Sequence, residues 1–140
     1  MTPEALAALY AAAFDDTQPW TPRDFSDLLA SPGVFLLGDA RAILLGRAIA
    51  GEAELLTLAT HPAQRRKGLA RALIDAFHAE ARSRDASDAF LEVAADNAPA
   101  RALYVASRYR EAGRRKGYYR RATGPAVDAL LLRQVLADPN

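Results

Sequence analysis

The spacing of apolar residues changes along the chain between the three-to-four-residue interval of a helix and the alternation of a strand. The N-terminal part follows the helical interval, and both Thr2 and Thr21 precede a proline, which is a common start of a helix. Asp24 stands three residues after Thr21, as in a capping box. Two helices are therefore predicted, with the apolar faces Leu6, Leu9, Tyr10 and Ala13, and Phe25, Leu28 and Leu29.

Strand-like apolar segments follow, and short turns separate them, at residues 34–38, 42–49 and 52–59. Strands joined by such short turns must pair antiparallel. Residues 69–84 then return to the helical interval, with a predicted buried face of Leu69, Leu73, Ala76, Phe77 and Ala81. The remaining predicted elements are a strand at 89–93, a short helix at 97–107, and strands at 109–113 and 127–136.

The predicted order of elements is ααβββαβαββ, an α/β fold with a mixed, mostly antiparallel central sheet flanked by helices. The strand at 89–93 follows a crossover helix, so it should run parallel to the strand at 52–59, with a right-handed connection. A ligand site is expected where these two parallel strands diverge. The 140 residues have the length of one domain, and neither a repeat nor a linker divides residues 1–140.

The segment before the third predicted helix is basic and lacks a helix cap. Residues 61–68 contain no Ser, Thr, Asp or Asn to accept hydrogen bonds from the first amides of that helix. The cations that surround this helix start, and oppose its dipole, are Arg65, Arg66, Lys67 and Arg71. A phosphate would accept from the amides and neutralise the charge, and Gly68 would let it approach without a Cβ in the way. A solvated basic loop capped by water is the alternative, and this segment alone leaves both open.

Composition narrows the classes of function. Apolar residues make up 51% and charged residues 25% of the chain, as in a soluble globular protein. The chain has no Cys and only two His, His61 and His78, so a cysteine nucleophile, a metal site and a Ser-His-Asp triad are not expected. His78 is predicted on the surface of the third helix. No apolar run has the length of a membrane span and no signal-like segment begins the chain, so we expect a cytoplasmic protein.

Three polar residues lie where they could take part in chemistry. Glu92 interrupts an apolar strand and shares a face with Phe90, where a partly desolvated carboxylate would suit a general base; an edge-strand Glu that faces water is the alternative. Tyr104 is either a core residue with its hydroxyl at the rim or a proton donor. Asn97 is a suitable helix cap, and its side-chain amide could also bond a ligand.

A basic segment surrounds the aromatic pair Tyr118 and Tyr119. Its cations are Arg108, Arg110, Arg114, Arg115, Lys116, Arg120 and Arg121. Aromatic residues interleaved with cations can bind RNA, whereas a solvated hairpin or a basic rim that helps to hold phosphates would give the same pattern. The net charge of the whole chain is only +1, so we favour the second explanation and expect no direct binding of nucleic acid.

Together these residues resemble the GNAT superfamily of N-acetyltransferases. The segment Arg65-x-x-Gly68-x-Ala70 after a strand is similar to the acyl-coenzyme-A loop of that family, Q/R-x-x-G-x-G/A, and the order of elements agrees along nearly the whole chain. The resemblance extends to the bacterial ribosomal-protein-alanine N-acetyltransferases through Pro19-Trp20, Ala53-Glu54-Leu55-Leu56, Leu91-Glu92-Val93, Asn97, Ala102-Leu103-Tyr104 and Arg115-Lys116-Gly117-Tyr118-Tyr119. Thr60-His61-Pro62 departs from the family, which often has Val or Ile, an acidic residue and Pro there.

The resemblance implies a binding site for acetyl-coenzyme A and no metal. Backbone groups of Leu58, Ala59 and Thr60 would bond the pantetheine arm and the thioester, and Asn97 would bond the coenzyme arm. The pyrophosphate would lie against the loop and helix start, formed by Arg65, Arg66, Lys67, Gly68, Leu69, Ala70 and Arg71.

The resemblance also implies direct acyl transfer with a base and an acid. Glu92 would accept the proton of the substrate amine through water, and Tyr104 would protonate the coenzyme A thiolate as it leaves. An α-amino group has a pKa of about 8, against about 10.4 for Lys, so a modest base suffices for a peptide N-terminus. Backbone amides at the end of the strand at 55–60 could bind the oxyanion.

The expected acceptor is a protein or peptide N-terminus, with ribosomal proteins among the candidates. The expected acceptor groove contains Trp20, Glu54, Tyr118 and Tyr119. Glu54 could attract the incoming ammonium or instead form a cross-strand ion pair. Within the enzyme class, the alternative acceptor is a small amine or a Lys side chain. A non-catalytic coenzyme-A-binding module, which would keep the loop and need neither Glu92 nor Tyr104, is the alternative from another class.

Overall fold

A computed structural model of the protein describes residues 1–14, 20–121 and 123–136, and it confirms the predicted order of helices and strands. The helices are α1 (Pro3–Ala13), α2 (Pro22–Leu29), α3 (Leu69–Ser83) and α4 (Ala98–Ala106). The strands are β1 (Val34–Asp39), β2 (Ala42–Ile49), β3 (Glu52–Thr60), β4 (Asp88–Ala94), β5 (Arg110–Tyr119) and β6 (Val127–Val135). Pro19, one of the residues that carry the resemblance, lies outside the described residues.

The structure adds one short element to the predicted ones. A turn of 3-10 helix, Pro62–Gln64, follows β3 in the basic loop. Of the helices in the described part of the chain, none combines the length and the apolar character needed to cross a bilayer.

The strands form one six-stranded mixed sheet in the order β1-β2-β3-β4-β6-β5. All neighbours are antiparallel except β3 and β4, which are parallel as predicted. This parallel pair is short, because residues 52–54 of β3 meet residues 88–90 of β4 and the strands then separate. A register shift against β2 leaves Leu56 as an extra residue in β3, and such a bulge bends a strand. The sheet is therefore split where the sequence predicts that the parallel strands diverge.

Buried side chains form one cluster on each face of the sheet. On the face packed by α3 and α4, here called the α3 face, Ile74 and Phe77 pack with Leu91 and Tyr104. On the face packed by α1 and α2, the α1 face, the cluster includes Leu6, Phe25, Ile43, Leu45 and Ala59. Since Leu91 and Val93 of β4 face α3, the alternation of a strand directs Glu92 to the opposite face, as predicted, and this is the α1 face.

The buried face of α3 differs from the predicted one. It consists of Ile74, Phe77, His78 and Ala81, whereas Ala76 is exposed. These buried positions follow the helical interval i, i+3, i+4 and i+7, so a polar His inside an otherwise apolar stripe misled the prediction. The prediction of a surface His78 is wrong, because its Nε2 lies 2.9 Å from the Tyr109 hydroxyl within the protein.

The strand β5 is longer than predicted. The sequence predicts a strand that ends at residue 113 and favours a solvated hairpin or basic rim beyond it, but β5 continues to Tyr119 and pairs with β6. Its register against β6 shifts twice, between Glu111 and Gly113 and between Arg115 and Tyr119. These irregularities interrupt the alternation by which a strand is recognised in a sequence.

Candidate active site

The basic loop leads from the end of β3 to an uncapped helix. Gly68 occupies the N-cap position of α3 with a φ of 78°, and no side chain of the described residues caps this helix. By contrast, α1, α2 and α4 are capped by Thr2, Thr21 and Asn97, respectively. A Cβ placed on Gly68 would meet nothing within 4 Å, so the space before the helix is open. The predicted uncapped helix start is confirmed.

The cations of the loop surround this space in different ways. Arg65 donates from Nη2 to the Ala13 carbonyl at 3.0 Å and so ties the loop to the end of α1. Lys67 donates to the Gln64 side chain at 3.0 Å. Arg66 has a φ of 66°, a left-handed conformation that costs about 1–3 kcal/mol for a residue with a Cβ. A cavity of about 240 Å³ lies here, lined by Thr60, Gln64, Arg65, Arg66, Gly68, Leu69, Ala70, Arg71 and Leu103.

A larger cleft of about 700 Å³ continues from this cavity into the split in the sheet. It brings together many of the predicted coenzyme residues; its lining is Ala13, Phe14, Leu58, Thr60, Arg65, Arg66, Ala70, Asp96, Asn97, Pro99, Ala100, Leu103, Tyr104 and Arg121. The side chain of Ala59 points away from the cleft into the core of the α1 face. Because β3 does not pair with β4 beyond Glu54, its backbone edge in the split is free to bond an extended ligand.

Asn97 and Tyr104 reach the cleft from opposite ends of α4. The Asn97 Oδ1 accepts a hydrogen bond from the Ala100 amide at 3.2 Å, which confirms the predicted cap, and the residue also lines the cleft. Tyr104 is a core residue that lines the cleft as well. Burial raises the pKa of the Tyr104 phenol far above its usual range, and the neighbouring Tyr119 phenol raises it further. A phenol with the usual pKa of about 10 is already protonated at neutral pH, so the raised pKa leaves Tyr104 a hydrogen-bond donor but makes it a weaker acid.

Glu92 lies on the other face of the sheet and is paired with an arginine. Its side chain is 22% exposed, and its Oε1 lies 3.2 Å from Nη2 of Arg115. Burial, followed by the charge of Glu92, raises the pKa of Tyr119 to about 12. Tyr119 is thus near enough to both Glu92 and Tyr104 for the charges of these groups to influence one another.

The other residues predicted for an acceptor groove lie on or near the α1 face. The Trp20 ring stacks on Tyr10, with centroids 5.1 Å apart, and is half-buried in the aromatic cluster. Glu54 forms the cross-strand ion pair named as its alternative, since its Oε1 lies 2.7 Å from Nη2 of Arg47. Tyr118 is 52% exposed and meets Tyr119 edge to face, with ring centroids 5.2 Å apart.

The sequence did not predict the partners of these residues. Arg115 belongs to the basic segment, but only the register of β5 brings it to Glu92. Arg121 is almost buried, pairs with Asp96 at 2.8 Å and lies over the Tyr119 ring. Clustering of cations around two tyrosines is the only sequence signal for either contact. Among the described residues, no group of three or more His, Asp or Glu side chains is arranged to hold a metal ion.

Comparison with known proteins identifies the family. The profile of the Acetyltransferase (GNAT) family matches residues 5–108, most of the chain. The chain belongs to the GNAT family. It is therefore an N-acetyltransferase, and both the resemblance and the fold predicted from the sequence are confirmed.

Similar GNAT proteins include curated relatives and solved structures. The chain is 34% identical to the N-alpha-acetyltransferase RimI of Mycobacterium tuberculosis over 143 aligned residues, which cover 96% of this chain and 87% of the relative. It is 35% identical to the ribosomal protein bS18-alanine N-acetyltransferase of Escherichia coli over 95 residues, covering 68% of this chain and just under two thirds, 64%, of the relative.

The crystal structure of the ribosomal-protein-alanine N-acetyltransferase from Escherichia coli superposes on the chain with a TM-score of 0.86 at 26% identity, covering 99% of this chain and 90% of that one. The Thermoplasma volcanium Ard1 structure gives a TM-score of 0.82 at 22% identity, with coverage of 99% and 95%. At that identity, the second likeness concerns the fold alone.

Proposed function

We propose that this GNAT enzyme transfers the acetyl group of acetyl-coenzyme A to the α-amino group of a protein N-terminus, with ribosomal proteins as the first candidate acceptors. The observation that carries the proposal is the split between β3 and β4, which ends at the uncapped, basic start of α3. The similarity to two curated N-terminal acetyltransferases supports this class of acceptor. Such an acceptor would meet the enzyme in the cytoplasm.

The coenzyme would lie along the split in the sheet. The amides at the start of α3 would donate to the pyrophosphate, and Arg65, Arg66 and Arg71 would neutralise it. Backbone groups of Leu58, Ala59 and Thr60 would pair with the pantetheine arm, because this edge of β3 has no partner strand. The remaining loop residues would form the walls of the pyrophosphate site, and they are Lys67, Gly68, Leu69 and Ala70. Asn97 would contact the arm across the cleft.

The acetyl transfer would take place where the two faces of the sheet meet at the split. The acceptor nitrogen attacks the thioester carbonyl, and Glu92 accepts the proton that the amine loses, directly or through water. The C–S bond then breaks, and Tyr104 donates its proton to the departing sulfur. Its buried hydroxyl is protonated at neutral pH, as a general acid requires. Backbone amides at the end of β3 would stabilise the oxyanion between these two steps.

The acceptor would approach from the α1 face, over the surface formed by Trp20, Glu54, Tyr118 and Tyr119. A peptide N-terminus suits this site because its amine, with a pKa of about 8, is partly neutral near pH 7, whereas a Lys amine, at about 10.4, is not. The whole chain would act as a single N-acetyltransferase domain.

A panel of acceptors tests the proposal. We expect release of free coenzyme A thiol with peptides that have a free N-terminus, including those that begin with the residues of small-subunit ribosomal proteins. Matched peptides with a blocked N-terminus and an internal Lys are the controls, and they should react far more slowly. Turnover restricted to small amines or to Lys would contradict the proposed acceptor. Coenzyme binding by calorimetry without thiol release from any amine would favour a non-catalytic binding module.

A further inference from the structure

The carboxylate assigned as the base is already occupied by a cation of the same chain. The Glu92 Oε1 lies 3.2 Å from Nη2 of Arg115, and the Arg115 side chain is 62% exposed whereas that of Glu92 is 22% exposed. The guanidinium is therefore the more exposed partner of this ion pair. An acceptor ammonium that approaches Glu92 is also a cationic hydrogen-bond donor, so it needs the same oxygen atoms.

Arg115 has a second partner that does not depend on Glu92. Its guanidinium carbon lies 5.1 Å from the centroid of the Tyr118 ring, within the range of a cation–π contact. When Glu92 takes another cation, Arg115 can remain over this ring and in contact with water. The neighbouring Arg114 is bound elsewhere, to Asp128 at 3.0 Å and to Glu111 at 3.6 Å. Of Arg114 and Arg115, Arg115 is therefore the residue that another cation can replace at Glu92.

We propose that Arg115 is a gate for the acceptor amine: it holds Glu92 in the free enzyme and is displaced by the acceptor's ammonium group. The inference rests on the proposed function and adds a positioning residue that competes with the acceptor. A partly exposed ion pair is weak, so displacing Arg115 from Glu92 costs the acceptor little binding free energy. The competition should therefore raise KM more than it lowers kcat.

The competition depends on the charge of the acceptor. Below a pH of about 8 the α-amine is an ammonium and competes with Arg115, whereas above that pH it is neutral and forms only a hydrogen bond. The groups around Glu92 are Arg115 and Tyr119 of β5, with Tyr118 and Tyr10 beside Tyr119 and Arg121, which is paired with Asp96, over the Tyr119 ring. Leu131, opposite Glu92 on β6, carries no charge, and Glu54 of β3 is paired with Arg47. The pKa of Tyr119, which burial raises to about 12, lies well above this pH range.

The variant Arg115→Gln tests the gate, with Arg114→Gln as a control that removes the same charge from the same strand. We expect KM for an N-terminal peptide at pH 6.5 to fall by about twofold to fivefold in Arg115→Gln, with kcat unchanged. The difference from wild type should vanish by about pH 9, once the amine is neutral. Arg114→Gln should leave KM at the wild-type value throughout, and Arg115→Lys should restore the wild-type KM.

Two results would contradict the proposal that Arg115 is a gate. An unchanged or higher KM in Arg115→Gln would mean that the guanidinium does not compete with the acceptor, and a change that is the same at pH 6.5 and pH 9 would mean a structural role. The result for Arg115 can be distinguished from the result of the acceptor panel that tests the proposed function. If wild-type enzyme acetylates only small amines, the N-terminal acceptor is wrong, but the KM ratio measured with those amines still decides the role of Arg115.

Discussion

At the split between β3 and β4, the loop and helix start proposed to hold the coenzyme belong to one continuous segment of chain, whereas the polar groups on the α1 face come from distant segments. The β3 edge, the basic loop and the start of α3 follow one another within residues 58–71, and α4 closes the cleft. Glu92, Arg115 and Tyr119 meet only through the pairing of β4 and β5 with β6. The difference implies that coenzyme binding and acceptor chemistry can be damaged separately.

The largest expected effect tests the α1 face alone. Replacing Glu92 by Gln removes the proposed base, so kcat should fall by about 100-fold to 10,000-fold, the usual contribution of general base catalysis. The dissociation constant of acetyl-coenzyme A, measured by calorimetry, should stay near the wild-type value, because Glu92 is not among the residues that line the proposed coenzyme cleft.

Glu52→Gln is a matched control, since this carboxylate is on β3 and is paired with Arg133 at 2.8 Å, away from the split. It should leave kcat unchanged. Wild-type turnover in Glu92→Gln would remove Glu92 from the mechanism, and a loss of coenzyme affinity in that variant would contradict the separation of the two faces.

A smaller effect is expected on the α3 face, at Gly68. A Cβ at this position meets nothing in the protein, but it would enter the space in which the pyrophosphate is expected. Gly68→Ala should therefore raise the dissociation constant of acetyl-coenzyme A by about tenfold, equivalent to about 1.4 kcal/mol, while kcat at saturating coenzyme changes little.

The backbone strain of this substitution can be controlled for. Gly51 has a φ of 83°, close to the 78° of Gly68, and a Cβ there also meets nothing within 4 Å, but it lies in the turn between β2 and β3. Gly51→Ala should cost similar stability without any loss of coenzyme affinity. Equal affinity losses in both variants would show that strain, and not contact with the coenzyme, is the cause.

The same contrast explains which parts of the molecule the sequence predicts. The loop site could be predicted because its helix start, its cations and Gly68 are neighbours in the chain, and the missing cap is visible in the residue types. The contact of Arg115 with Glu92 could not, because the two register shifts in β5 remove the alternation that would assign side chains to faces. His78 was misplaced for a related reason: its burial depends on a partner hydroxyl, Tyr109, thirty-one residues away.

The smallest expected effect concerns the stability of the α3 face, through His78. Burial, followed by the charge of Arg82, lowers the pKa of this imidazole from its usual value near 6.5, while Asp75 opposes the shift. The unfolded chain therefore binds the proton more readily than the folded one, so stability is complete above about pH 6.5 and decreases as the pH falls below it.

Thermal unfolding of the wild type should thus show a constant Tm from pH 8 to about pH 7 and a Tm lower by a few degrees near pH 5.5. His78→Gln should flatten this dependence, since the amide keeps a polar partner for the Tyr109 hydroxyl and does not titrate. His61→Gln, at an exposed position in the basic loop, should leave the dependence as it is in the wild type. An equal slope in wild type and His78→Gln would show that other groups titrate in this range, and that the buried imidazole of the α3 face makes no contribution to the pH dependence of folding.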